Sequence, residues 1–127
     1  MVNLYPYLVE IKNKIEEMGI YKSIKIGLER GADKSINTPL CRIVLESAEY
    51  KGVLANAVIQ IVIALDTKND YEKLYSEFLD FEYKTKNKLL ELPYNVVVLN
   101  TITDEDRLTN LKAGIIRVSL NNLVEYQ

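Results

Sequence analysis

Ala57-Val58-Ile59-Gln60-Ile61-Val62-Ile63-Ala64-Leu65 is the most apolar run of this 127-residue chain, and its alternation decides the fold. In an extended strand Ile59, Ile61, Ile63 and Leu65 fall on one side, and Val58, Gln60, Val62 and Ala64 on the other. A strand apolar on both sides belongs in the middle of a sheet, with another layer packed on at least one face. The segment Asp70 to Leu92 follows at once and is the expected cover. Tyr71, Leu74, Tyr75, Phe78, Phe81 and Leu89 line one side of it at helical spacing, with Lys73, Glu77, Asp80, Lys84 and Lys88 elsewhere. Thr67 or Asn69 is the expected cap, Asp70 and Glu72 suit the positive end of the helix dipole, and Pro93 stops the helix. Burying Leu74 and Phe78 against the isoleucine face is worth roughly 1.5–3 kcal/mol each, so a charge at Phe78 is expected to unfold the domain.

Working outward from this pair, the chain upstream supplies a hairpin partner. Leu40–Glu49 reads as a strand, Tyr50-Lys51-Gly52 as a turn, and Val53–Asn56 as the return into the central strand. Both arms exceed the usual strand length, which predicts a hairpin projecting beyond the sheet. Before it lie a helix over Leu4–Met18, capped by Asn3 with Pro6 in its first turn and Gly19 as its stop, and a half-exposed edge strand over Tyr21–Glu29. Arg30–Thr38 is a long polar loop closed by Pro39. Downstream, Asn95–Thr103 and Leu111–Leu120 read as two further strands joined by the polar turn Asp104-Glu105-Asp106-Arg107, with Asn121–Gln127 as a tail. The order is α-β-β-β-α-β-β. It predicts one α+β domain over residues 1–127, a two-layer sandwich with a mostly antiparallel sheet.

Composition narrows the function. Sixteen basic and eighteen acidic residues give a net charge of −2 with no block of one sign, unlike a nucleic-acid-coating protein. The absence of histidine removes the usual acid–base residue near neutral pH and the imidazole metal ligands. Cys41 is the only cysteine, which excludes an internal disulfide and fits a reducing compartment; in its apolar strand it reads as a structural thiol. Met1–Glu10 lacks the basic start and continuous apolar core of a signal peptide, and no stretch is apolar for long enough to span a bilayer, so the expected location is the cytoplasm.

The candidate reactive groupings all have simpler readings. Asp104, Glu105 and Asp106 lack the spacing and glycine of a calcium loop and read as a solvated turn. Asp66 and Asp70 flank a strand-to-helix junction, where capping explains them better than acid–base chemistry. Arg30-Gly31-Ala32-Asp33-Lys34-Ser35 has neither the spacing nor the following helix of a phosphate-binding loop. No catalytic residue, metal or cofactor is expected. The nine tyrosines are scattered, and Tyr5, Tyr7, Tyr50 and Tyr126 lie near ends and turns, where exposed tyrosines suit a protein-binding surface.

The order of elements resembles the tail-terminator family of long-tailed bacteriophages, the minor tail protein U-like proteins. The points of similarity are the N-terminal helix, the loop closed by Pro39, the aliphatic strand Leu40–Leu45, Ala48-Glu49-Tyr50-Lys51-Gly52 at the turn, the apolar strand Ala57–Leu65, the helix from Asp70 and a closing strand pair. The resemblance spans nearly the whole chain, but the longer, acidic hairpin linker of the family is not reproduced. It implies a non-enzymatic phage or prophage protein that forms a ring, usually a hexamer, at the end of the tail tube. Its partners would be further copies of itself, the tail-tube protein and the head-completion proteins, with no membrane or direct nucleic-acid contact, and its final location the virion tail. A ring needs head-to-tail contacts, and Arg30, Lys34, Tyr50 and Lys51 on the loop and turn are the residues expected to reach the neighbour. The competing reading is a small-ligand or regulatory module on a ferredoxin-like α+β sheet. That needs a pocket with convergent polar groups, for which Gln60 and Asn100 are the strand-borne candidates. A Gln60 free in a pocket favours the ligand; a Gln60 already paired with a neighbouring element disfavours it.

Overall fold

The structure is a computed structural model describing residues 1–28, 38–66, 70–103 and 111–126; the side chains of Tyr71, Leu111 and Lys112 lie outside that description. Its elements are α1 (Tyr5–Glu16), β1 (Ser23–Ile26), β2 (Leu40–Lys51), β3 (Leu54–Asp66), α2 (Tyr71–Leu89), β4 (Asn95–Thr103) and β5 (Leu111–Leu123). This is the α+β order expected from the sequence. The five strands form one sheet, β1-β2-β3-β5-β4, with a single parallel pair, β1–β2. The run 57–65 accordingly lies in the middle strand, β3.

Only one side of β3 is covered by the helices. Ile59, Ile61, Ile63 and Leu65 are buried in one cluster with Leu8, Ile11 and Ile15 of α1 and Leu74, Phe78 and Leu89 of α2. Phe78 lies on Gly114 of β5, the residue paired with Ile63, and a Cβ at that glycine would overlap the ring. A side chain there is therefore excluded by packing, with no unusual backbone angle involved. The helix face also buries Thr85 and Glu82, which the sequence reading left out. Thr85 Oγ1 shares a 2.6 Å hydrogen bond with Tyr21 Oη, and Glu82 accepts from Thr101 at 2.8 Å and pairs with Lys86 at 3.2 Å. Both of these buried polar side chains are thus partnered.

Several boundaries differ from expectation for identifiable reasons. α1 is shorter than Leu4–Met18, with Leu4 at the cap position and Asn3 Oδ1 accepting from the Tyr5 amide at 3.1 Å. Asp70 itself caps α2, accepting from the Lys73 amide at 3.1 Å; Thr67 and Asn69 lie outside the described residues. The first strand is confined to Ser23–Ile26 because Gly27, at φ +85°, turns the chain away. β5 runs three residues beyond Leu120, to Leu123, and this corrects the expected hairpin projection. Ala55, next to the turn, pairs with Leu123, so β3 is flanked almost to its tip and only Gly52 and Val53 stand past the sheet. Gly52, at φ +62°, takes the first position of that two-residue turn, where glycine is favoured.

Candidate interaction surface

Among the described residues the other face of the sheet carries no helix. Val58, Gln60 and Val62 of β3 and Ile115, Arg117 and Ser119 of β5 share this open face, with Ser47 of β2 and Val97, Asn100 and Ile102 of β4 flanking them in register. Near Leu40 the same face is closed, since Leu40 and Ala64 are buried there with Ala113 packed against them. Arg42, opposite Val62, is fully buried, and its Nη1 donates to the carbonyls of Cys41 at 2.9 Å and Ser23 at 3.2 Å.

A polar belt crosses the open face from β2 to β4. At Glu46 the β2–β3 register shifts, a β-bulge that turns the carboxylate onto this face. Arg117 grips it two-pronged, Nε to Oε1 at 2.9 Å and Nη2 to Oε2 at 2.8 Å. Gln60 Nε2 donates to Oε1 at 3.0 Å, and Arg117 Nη1 donates to Asn100 Oδ1 at 3.1 Å. The hydrogen bonds from Arg117 and Gln60 lower the Glu46 pKa to about 2. Gln60 and Asn100, the two candidate ligand contacts, are both engaged in this belt. By the criterion set from the sequence, Gln60 pairs with a neighbouring strand, which counts against a ligand pocket.

Among the described residues the two sides of the sheet end in unlike edges. β1 pairs with β2 only over Leu40–Ile43, leaving Val44–Lys51 without a described neighbour on that side. This edge carries Glu46, Glu49 and Lys51, the charges with which natural sheets discourage accidental pairing. At the opposite side β4 is the terminal strand, with no charge and no proline over nine residues. Val97, Leu99 and Ile102 on it are 43–48% exposed. A bulge at Leu99 interrupts its pairing with β5.

The hairpin end forms a third exposed region. Met1, Val2, Val53, Val124 and Glu125 line a depression of about 280 Å³ where both chain ends meet the turn. Met1 is 88% and Val53 78% exposed, so the apolar content of this end faces solvent. Of the four residues singled out from sequence, Tyr50 and Lys51 stand here. Tyr50 is exposed, and Lys51 is tied to Glu49 at 3.1 Å. Arg30 and Lys34 lie outside the described residues, as do Asp104, Glu105 and Asp106. The apolar residues at this end had a signal in the sequence, Val53-Leu54 beside a turn glycine, but the approach of both termini had none.

Cys41 is fully buried, and burial pushes its thiol up to about 12, as befits a structural residue. Among the described residues no group of acidic or cysteine side chains is placed to hold a metal ion, and no helix is long and apolar enough to cross a membrane. No protein-family model matches the chain, and no curated protein matches it.

Proposed function

We propose that this chain is a non-enzymatic structural subunit that assembles head-to-tail into a ring, in the manner of a phage or prophage tail terminator. The observation that carries the reading is the pair of unlike free edges on opposite sides of one sheet. A closed ring needs a heterologous contact, in which one surface meets a different one on the next copy. β2 and β4 run antiparallel to each other, because each step across β2-β3-β5-β4 reverses direction. A copy rotated about an axis along the strands keeps its strand directions, so its β2 edge meets the β4 edge of its neighbour antiparallel and the ladder continues. The uncharged β4 accepts a strand, while the charges on β2 disfavour β2–β2 pairing.

In such a ring the hairpin ends all point along the axis. The apolar end around Met1 and Val53 would then face an axial partner, which fits contact with a tail tube or a head-completion protein. The resemblance in element order suggests a hexamer. Negative-stain electron microscopy of the chain mixed with the tube protein encoded beside it tests the proposal. Sixfold rings at tube ends are expected for the wild type, and bare ends for the Val97→Lys/Ile102→Lys variant, whose exposed substitutions leave the core intact. A wild-type chain that leaves the ends bare, or flanking genes that encode no tail proteins, contradicts it.

A further inference from the structure

Of the twelve residues of β2, β1 takes the first four, so among the described residues eight, Val44–Lys51, face outward at that side of the sheet. β4, at the other side, has nine. Each strand carries one bulge, at Glu46 and at Leu99. Leu45 and Tyr50 of β2 lie opposite Ile59 and Ala55, which are buried under the helices, so both side chains are on the helix side of the sheet. They are nevertheless 38% and 42% exposed, because no described strand stands beside them. On β4, Val96 and Val98 pack against the same buried cluster, and Thr101 reaches Glu82 from that side.

We infer that β1 sets the register of the joint between copies: it blocks β2 as far as Ile43, so β4 of the next copy seats with Val97 opposite Glu49 and Ile102 opposite Val44. This rests on the proposed ring, whose joint it specifies. In that register Tyr50 lies beside Val96, Ala48 beside Val98 and Leu45 beside Thr101, so the two exposed apolar side chains gain cover from the neighbour. The bulges fall on either side of the Ser47–Asn100 pair, and the extra residue of one strand offsets that of the other. Asn100 ends the polar belt of one copy, and here it meets Ser47 and the Glu46 bulge, where the belt of the next copy begins. The belt thus runs unbroken round the ring. A shift by one residue would set helix-side residues against the open face. A shift by two in one direction drives Thr101 and Ile102 against Ile43 and Arg42, which β1 holds. In the other direction it sets Asn95 and Val96 against the turn, Val53 and Gly52. Within one copy Ser47 is level with Val97 through Val58 and Ser119. Each joint therefore steps the strands by two residues, a stagger of the kind that tilts the strands of a closed barrel.

Cysteine pairs read the register directly. Val97→Cys is combined in turn with Ser47→Cys, Glu49→Cys and Lys51→Cys, all at exposed positions. Covalent multimers are followed in time on non-reducing gels under mild oxidation, each rate being normalised to thiol labelling of the same variant. Directly opposite residues have the spacing a disulfide needs, and diagonal neighbours exceed it. The Glu49 pair is expected to form its ladder roughly fivefold or more faster than the Ser47 and Lys51 pairs, which link only as the strands breathe. Equal rates, or a maximum at Ser47 or Lys51, overturn the register and leave the edge-to-edge ring standing. No multimers from any of the three pairs overturns the ring as well.

Discussion

The two faces of β3 began as near equals and ended with different work. Ile59, Ile61 and Ile63 lie under the helices and are fully or almost fully buried. Val58 and Val62 sit on the opposite face beside a salt-bridged polar belt, half-exposed. Both sides of the strand are comparably apolar in sequence, so hydrophobicity alone did not assign them. The covered side is fixed by the fit of a specific ring, Phe78, onto a specific gap, Gly114. The open side is fixed by the Glu46 bulge, which places one carboxylate within reach of Arg117 and Gln60. The comparison teaches that one side of the strand makes the domain stable, while the other stays open and is organised by a polar belt instead of a covering helix.

Perturbing the covered face breaks the comparison most severely. Phe78→Asp puts a charge where no solvent reaches, and the variant is expected to show no cooperative thermal transition by circular dichroism. Gly114→Ala is expected to cost about 1–3 kcal/mol in urea denaturation, because the added methyl must displace a buried ring. Shrinking that ring in the same background, Gly114→Ala/Phe78→Leu, should return part of the loss; a double variant no better than the sum of the singles would remove the packing argument.

The open face responds more gently and through pH. Glu46 titrates near its ordinary value of 4.5 when unfolded and at about 2 when folded. A carboxylate lowered in the folded state adds stability above the unfolded value, and that contribution fades as pH falls from about 4.5 toward 2. The stability gap between wild type and Glu46→Gln, followed by urea denaturation, should therefore be widest near neutrality and shrink across that range. A gap independent of pH would mean that the belt is not held by the ionised carboxylate.

The parts legible in the sequence were those set by local periodicity. The apolar run, the helical spacing of Leu74, Phe78 and Leu89, and the turn glycine at 52 placed all seven elements in order. Features depending on distant partners were not legible. Glu46 and Arg117 are 71 positions apart, and nothing in either neighbourhood announces the other. Arg42 sat in an apolar strand that gave no sign it would be buried on backbone carbonyls. Glu82 and Thr85 had a usable signal, since they fall between Phe78 and Leu89 on the buried side of the helix, but polar residues on a core face are readily passed over. On the surface, the exposed apolar hairpin end was readable from its turn. The free β4 edge was not, because strand order is a property of the whole sheet.

The unlike edges can be tested directly with cysteines, since Cys41 is buried and its thiol is raised to about 12, too inert to interfere. Ser47 on β2 and Val97 on β4 share the open face, at opposite sides of the sheet. Oxidation of the Ser47→Cys/Val97→Cys variant, read on a non-reducing gel, should give a ladder of covalent multimers, while each single variant gives at most a trace of dimer. A strong dimer from Val97→Cys alone with no ladder from the double variant would mean that β4 pairs with its own copy across a two-fold axis, and the head-to-tail ring would be wrong.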